Sequence, residues 1–209
     1  MRAKQVKSLS DYLALEARLF DELQSYLLPS DRLDGHSPII RYVEGGIGDP
    51  ATFEPNWNRS VEVAPAEGEV RGAVLLLHGL TDSPYSMRSI AKEFGAHGFH
   101  ALCLRLPGHG TVPAGLLNVE VEDWMDAVRL AWRHVQGLVR ADQPLIICGY
   151  SNGGALATLF TLELVGEPEP VARIPDLVCL YSPAIGITRL AAASNWHRAF
   201  TWIPAFEKS

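Results

Sequence analysis

The stretch Cys148-Gly149-Tyr150-Ser151-Asn152-Gly153-Gly154 constrains this 209-residue chain more than any other. An apolar run, residues 144–148, leads into it, and a run of small and apolar residues, 154–164, leads out. That order reads as strand, sharp turn and helix, with Ser151 at the apex and glycines two residues to either side. An apex serine held in a strained backbone conformation brings its neighbours against the adjacent strand and helix. Gly149 and Gly153 lack the β-carbons that would clash there. The turn lifts the serine hydroxyl above the sheet and aims the N-terminus of the next helix at it. Free N–H groups and the positive end of the helix dipole then meet any negative charge that develops. Gly-x-Ser-x-Gly is the pattern of a nucleophile elbow. The pentapeptide alone fits a plain strand–helix turn with a solvated serine equally well; the flanking strand and helix favour the elbow.

The rest of the chain must supply a sheet for that turn to sit on. Apolar residues make up 47% of it and charged residues 20%, enough for one sizeable domain with a core. The net charge of −6 argues against nucleic acid or an anionic membrane as the main partner. No apolar run approaches the roughly 20 residues of a membrane span. The basic residues Arg2, Lys4 and Lys7 have no apolar segment behind them, and Asp11 and Glu16 add charge to the next stretch, which points to a cytoplasmic protein. Cys103, Cys148 and Cys179 each lie in an apolar strand-like run without CxxC spacing. They read as small buried core residues, neither a disulfide framework nor a zinc site.

Residues 8–28 place Leu9, Tyr12, Leu13, Leu19, Phe20, Leu23, Tyr26 and Leu27 on one helical face, with Ser8 or Ser10 as cap and Pro29 as stop. This helix reads as an appendage over residues 1–30, with a partner-binding helix as the alternative. Residues 31–71 read as an irregular lead-in, with short strands near 39–43 and 59–65. From Gly72 the order becomes regular. Strands at 73–77, 99–104, 145–148 and 177–181 alternate with helices at 83–95, 121–139 and the one after the elbow. That alternation predicts an α/β fold, a mostly parallel sheet with helices on both faces over residues 72–186.

In such a sheet, ligands sit at the carboxyl ends of the strands. The first buried strand ends in His78-Gly79-Leu80-Thr81-Asp82-Ser83, so this loop and the elbow face one crevice. A hydrolytic serine needs two N–H donors for its tetrahedral oxygen. Asn152, just after the serine, offers one; Leu80 offers the other, with Gly79 allowing close approach. His78 reads as a turn-stabilising residue. The second strand ends in Arg105-Leu106-Pro107-Gly108-His109-Gly110, a tight loop in which His109 need touch no substrate.

These three motifs, in this order and spacing, resemble the α/β-hydrolase family. "RLPGHG" and "HGLTDSP" are most similar to its carboxylesterase, monoacylglycerol-lipase and serine-aminopeptidase-like branch. The resemblance covers about residues 60–190. It implies acyl transfer through Ser151, a histidine base, an acid that orients it, and an oxyanion hole at Leu80 and Asn152. It implies an ester or acylglycerol-like substrate and no metal or organic cofactor. The family's acid and histidine follow the serine in chain order. Here the later carboxylates are Glu163, Glu167, Glu169, Asp176 and Glu207, and none stands at a matching strand end. The later histidine, His197, falls in the segment 187–209, where the family inserts its lid. Neither triad partner is assigned. The expectation is therefore a hydrolase-type chain that lacks the last strands, with Leu177 on an exposed edge strand. Three readings stay open: a serine hydrolase, an inactive fragment or binding domain, and a half-enzyme completed by a second chain.

Overall fold

The computed structural model describes residues 6–24, 52, 54–66, 68, 70–111, 113–168 and 170–186. A 16-residue helix, α1 (Leu9–Gln24), comes first. The Ser8 hydroxyl caps it, accepting from the Asp11 N–H at 3.2 Å. The predicted continuation of this helix to residue 28 and the strand near 39–43 lie outside the described residues. Next come β1 (Val61–Val63), β2 (Gly72–Leu77), α2 (Arg88–Ala96), β3 (Phe99–Leu104), α3 (Val121–Gly137), β4 (Leu145–Tyr150), α4 (Asn152–Gly166) and β5 (Leu177–Tyr181).

The helix expected over 83–95 begins as a 3-10 turn at Pro84–Met87 before α2 proper. Ser83 caps that turn, and proline fills its first position, where the missing N–H costs nothing. The helix expected over 121–139 stops at Gly137. A capping box opens it, Glu120 and Asp123 each accepting from the other's backbone N–H.

The sheet has five strands in the order β1-β3-β2-β4-β5. β1 runs antiparallel to β3, and all other neighbours are parallel. β2 is buried at every residue, as its unbroken apolar run requires. Its side chains alternate between two cores. Ala73, Leu75 and Leu77 join the core formed with α1, α3 and α4, while Val74 and Leu76 join the core formed with α2. The chain steps from β2 to β3 through α2, then back past β2 to β4 through α3. Right-handed crossovers in opposite directions put α2 on one face and α3 on the other. The chain therefore leaves the adjacent strands β2 and β4 toward opposite faces. That divergence opens a crevice at their carboxyl ends, a topological switch point.

Among the described residues β5 is an edge strand of this sheet, as β1 is at the other side. Among the described residues nothing pairs with its far side, and Leu177, Leu180 and Tyr181 are exposed. α4 is apolar nearly all round. It buries Leu156, Phe160 and Leu164 and exposes Leu159, Leu162 and Val165. Cys103 and Cys148 are buried as expected, but Cys179 is only half-buried, because it sits on this outer strand opposite Cys148. Among the described residues no helix is long and apolar enough to cross a membrane.

Candidate active site

Ser151 stands between the last residue of β4 and the first of α4 with φ 52° and ψ −112°. A non-glycine residue at that φ is strained. The surroundings hold it there. Its N–H donates to the Tyr181 carbonyl at 2.9 Å, and its own carbonyl accepts from Ala155 and Ala184 at 3.1 and 3.0 Å. A β-carbon on Gly149 would run into the Gly153 carbonyl. One on Gly153 would lie 2.6 Å from the His78 carbonyl oxygen and closer still to that of Leu77. Both glycines therefore serve close backbone approach: α4 lies against the loop after β2 with no side chain between them.

That approach brings the loop after β2 to the serine. A β-carbon on Gly79 would lie 3.4 Å from Ser151 Cβ and 3.1 Å from the Tyr150 ring. The backbone N–H groups of Leu80 and Asn152 have no acceptor among the described residues. The Asn152 N–H is also one of the free donors at the start of α4, where the helix dipole favours negative charge. The Leu80 side chain is half exposed, and Asn152 Nδ2 is buried without a partner among the described residues.

His78 is fully buried and bridges two loops. The Leu106 N–H donates to its Nε2 at 3.1 Å, so Nδ1 carries the proton and donates to the Gly79 carbonyl at 2.9 Å. Burial, then the neighbouring His109 and Arg105, lowers its pKa to about 3 despite the Gly79 bond, so it stays neutral. Its ring meets that of His109 edge-on at 4.9 Å, and His109 in turn lies 5.6 Å from Trp124. His109 Nδ1 and Trp124 Nε1 both reach the Pro107 carbonyl at 3.0 Å. Burial lowers the His109 pKa as well, and its Nε2 is buried without a partner among the described residues. The loop after β3 is thus packed into the site's floor by both histidines, and His109 is buried with it.

A cluster that sequence reasoning missed lies beneath that loop. Arg105 is 1% exposed. Its Nε donates to the His109 carbonyl at 2.6 Å, and its carbonyl accepts from the Tyr12 hydroxyl at 2.6 Å. Glu16 of α1 lies 3.9 Å from Arg105 Nη1. One signal could have found this cluster: Glu16 falls in step with Leu9, Tyr12, Phe20 and Leu23 on the apolar face of α1.

No hydrogen bond reaches the Ser151 hydroxyl from any described residue. The later carboxylates are engaged elsewhere. Glu163 pairs with Arg129 at 2.9 Å on the outside of α3 and α4. Asp176 accepts from the Leu145 N–H and from Arg173, at the amino ends of the strands. Its pKa is lowered first by the Leu145 bond. Glu167 accepts from the Val171 N–H beyond the end of α4. Glu169, His197 and Glu207 lie outside the described residues.

A family profile described as serine aminopeptidase, S33, matches residues 68–206. The chain belongs to this family. The serine aminopeptidase S33 match begins after α1 and takes in β2 to β5 with all three loops of the crevice. The chain is 31% identical over 112 residues to a thermostable monoacylglycerol lipase from Bacillus sp. (strain H-257), covering 54% of this chain and 42% of that protein. It is 29% identical over 102 residues to a carboxylesterase from Bacillus subtilis (strain 168), covering 49% of this chain and 39% of that one. The matched part spans about two fifths of each relative. Among solved structures, a soluble variant of monoglyceride lipase from Saccharomyces cerevisiae, in complex with a substrate analog, superposes with a TM-score of 0.55 at 16% identity. That match covers 68% of this chain and 46% of that one. The likeness identifies the α/β-hydrolase fold.

Proposed function

We propose that this chain carries the nucleophile half of a serine hydrolase that acts on carboxylic esters, acylglycerol-like ones included. The observation that carries this reading is the strained Ser151 at the head of α4, and the Leu80 and Asn152 N–H groups, which have no acceptor among the described residues, are the oxyanion donors we assign to it. Ser151 Oγ attacks the ester carbonyl carbon. The carbonyl electron pair moves onto oxygen, which accepts hydrogen bonds from Leu80 and Asn152. The serine proton passes to a base, which hands it to the departing alkoxide as the alcohol leaves; water, giving its proton to the same base, then cleaves the acyl-serine bond, and that proton returns to Ser151 Oγ as the carboxylic acid is released. The neutral, buried His78 and His109 position the loops and take no part in this proton transfer.

The test is labelling of the 209-residue chain by a fluorophosphonate probe, together with turnover of short p-nitrophenyl esters. The expected result is a single adduct on Ser151, lost in Ser151→Ala. An unlabelled, folded chain with no ester turnover overturns the reading.

A second reading is favoured by the unpartnered Ser151 hydroxyl. No base stands beside the serine among the described residues, an arrangement that also suits an inactive or binding domain, or a half that a second chain completes. Residual catalysis from the oxyanion donors alone is then the ceiling, orders of magnitude below a full triad.

A further inference from the structure

α1 stands outside the serine aminopeptidase S33 match, which starts at residue 68, yet it is joined to the candidate site by buried polar contacts. Glu16 is 2% exposed, although it is a carboxylate on an apolar helix face. Its two oxygens accept from the Ser60 N–H at 2.7 Å and the Ser60 hydroxyl at 2.9 Å. The Ser60 hydroxyl in turn accepts from the Arg105 N–H at 2.9 Å. One turn earlier, Tyr12 donates to the Arg105 carbonyl. The buried guanidinium faces Glu16 and lies over the Phe20 ring at 5.5 Å. Among the described residues, Glu16 is the carboxylate paired with this buried cation.

From Arg105 the contacts run on without a gap. Nε fixes the His109 carbonyl, the next N–H in the chain fixes His78, and His78 fixes the Gly79 carbonyl. A β-carbon on Gly79 would come within ordinary contact of Ser151 Cβ, at 3.4 Å, and Gly79 precedes the Leu80 donor. A helix used only for packing needs none of this. Apolar contacts would dock it equally well, and a buried ion pair is weak evidence for stability by itself.

We infer that α1 is a positioning element of the Ser151 site: Glu16 and Tyr12 set the Arg105 loop, and through His78 that loop sets the Leu80 N–H. The inference deepens the proposed function and rests on it for the meaning of the Leu80 N–H, but not for the contacts themselves.

The test compares amide hydrogen exchange across the full chain in the unaltered protein, Glu16→Gln, Tyr12→Phe and Leu9→Ala. Leu9→Ala loosens α1 at its apolar contacts with no bond to Arg105. In both polar variants, exchange in 78–83 and 105–111 rises at least tenfold while α2 stays as it was; in Leu9→Ala it rises only within α1. Equal loosening of 78–83 in Leu9→Ala, or a rise confined to α1 in all three, overturns the inference. Tyr12→Phe removes one hydrogen bond and no charge, so it carries the test if Glu16→Gln does not fold. Fluorophosphonate labelling is read in parallel. A tenfold slower reaction at Ser151 in the polar variants supports positioning. Labelling absent in every protein, with the exchange pattern intact, sinks the proposed activity and leaves the positioning role standing.

Discussion

The Leu106 N–H donates to His78 Nε2 across 3.1 Å, and this one bond joins the loop after β3 to the loop after β2. It also fixes the proton of His78 on Nδ1, facing the Gly79 carbonyl. The bond exists only while the imidazole is neutral, because a protonated ring has no acceptor.

Acid should therefore weaken the fold before the carboxylates titrate. Unfolded, His78 binds a proton below about pH 6.5; folded, it does so only below about 3. Between those values the unfolded state holds the extra proton, so stability falls as pH falls. The slope reaches about 1.4 kcal/mol per pH unit for one fully neutral histidine, and His109, also lowered, adds in the same direction. Urea denaturation from pH 7 to 4 measures this. His78→Asn should flatten the acid limb.

Ser151→Gly should stabilise the protein while it removes the hydroxyl. Glycine adopts φ 52° without strain. The relieved strain, of order 1–3 kcal/mol, exceeds the entropy glycine adds to the unfolded chain, for a net gain of about 1 kcal/mol. Gly153→Ala should do the reverse and lose about 3 kcal/mol or more, since its β-carbon meets the backbone of β2 and the loop after it. Thermal denaturation of the pair gives opposite shifts in Tm.

Glu163→Gln should leave Ser151 chemistry untouched. Glu163 serves an ion-pair cluster in which Arg129 also meets Glu122 and Asp126. These contacts raise the Arg129 pKa, the Glu163 bond most of all. The cluster is partly solvated, so the loss is about 0.5–1 kcal/mol. An unchanged labelling rate with a small drop in denaturation midpoint is the expected pair of readings.

Leu177→Lys should reduce self-association. Leu177 is 51% exposed on β5, whose far side has no partner strand among the described residues. Charge on an open strand edge blocks pairing with another sheet. Analytical ultracentrifugation of the two proteins at the same concentration should show a smaller aggregated fraction in the variant.

Much of the parallel sheet could be read from the chain, because β2 and β4 are continuous apolar runs and helical spacing separates them. The strained serine and its two glycines were legible for the same reason: few residue types permit that turn. The cluster under the Arg105 loop was not. Glu16 and Arg105 are 89 residues apart, and a charged side chain in a sequence reads as solvated unless its neighbours on the helix are weighed. His109 stayed a plain loop residue because its burial depends on Trp124 and His78, which the chain brings to it from two other elements.

Ser151 donates its N–H to Tyr181 and accepts from Ala184, both at the end of β5 or just past it. An outermost strand is among the first parts of a sheet to open in native fluctuations. When β5 lifts, the serine loses the two clasps that over-determine its dihedral angles and can relax into an ordinary turn. Among the described residues the tension at the apex is thus held in part from β5. Whatever lengthens the time β5 spends paired also lengthens the time Ser151 spends raised.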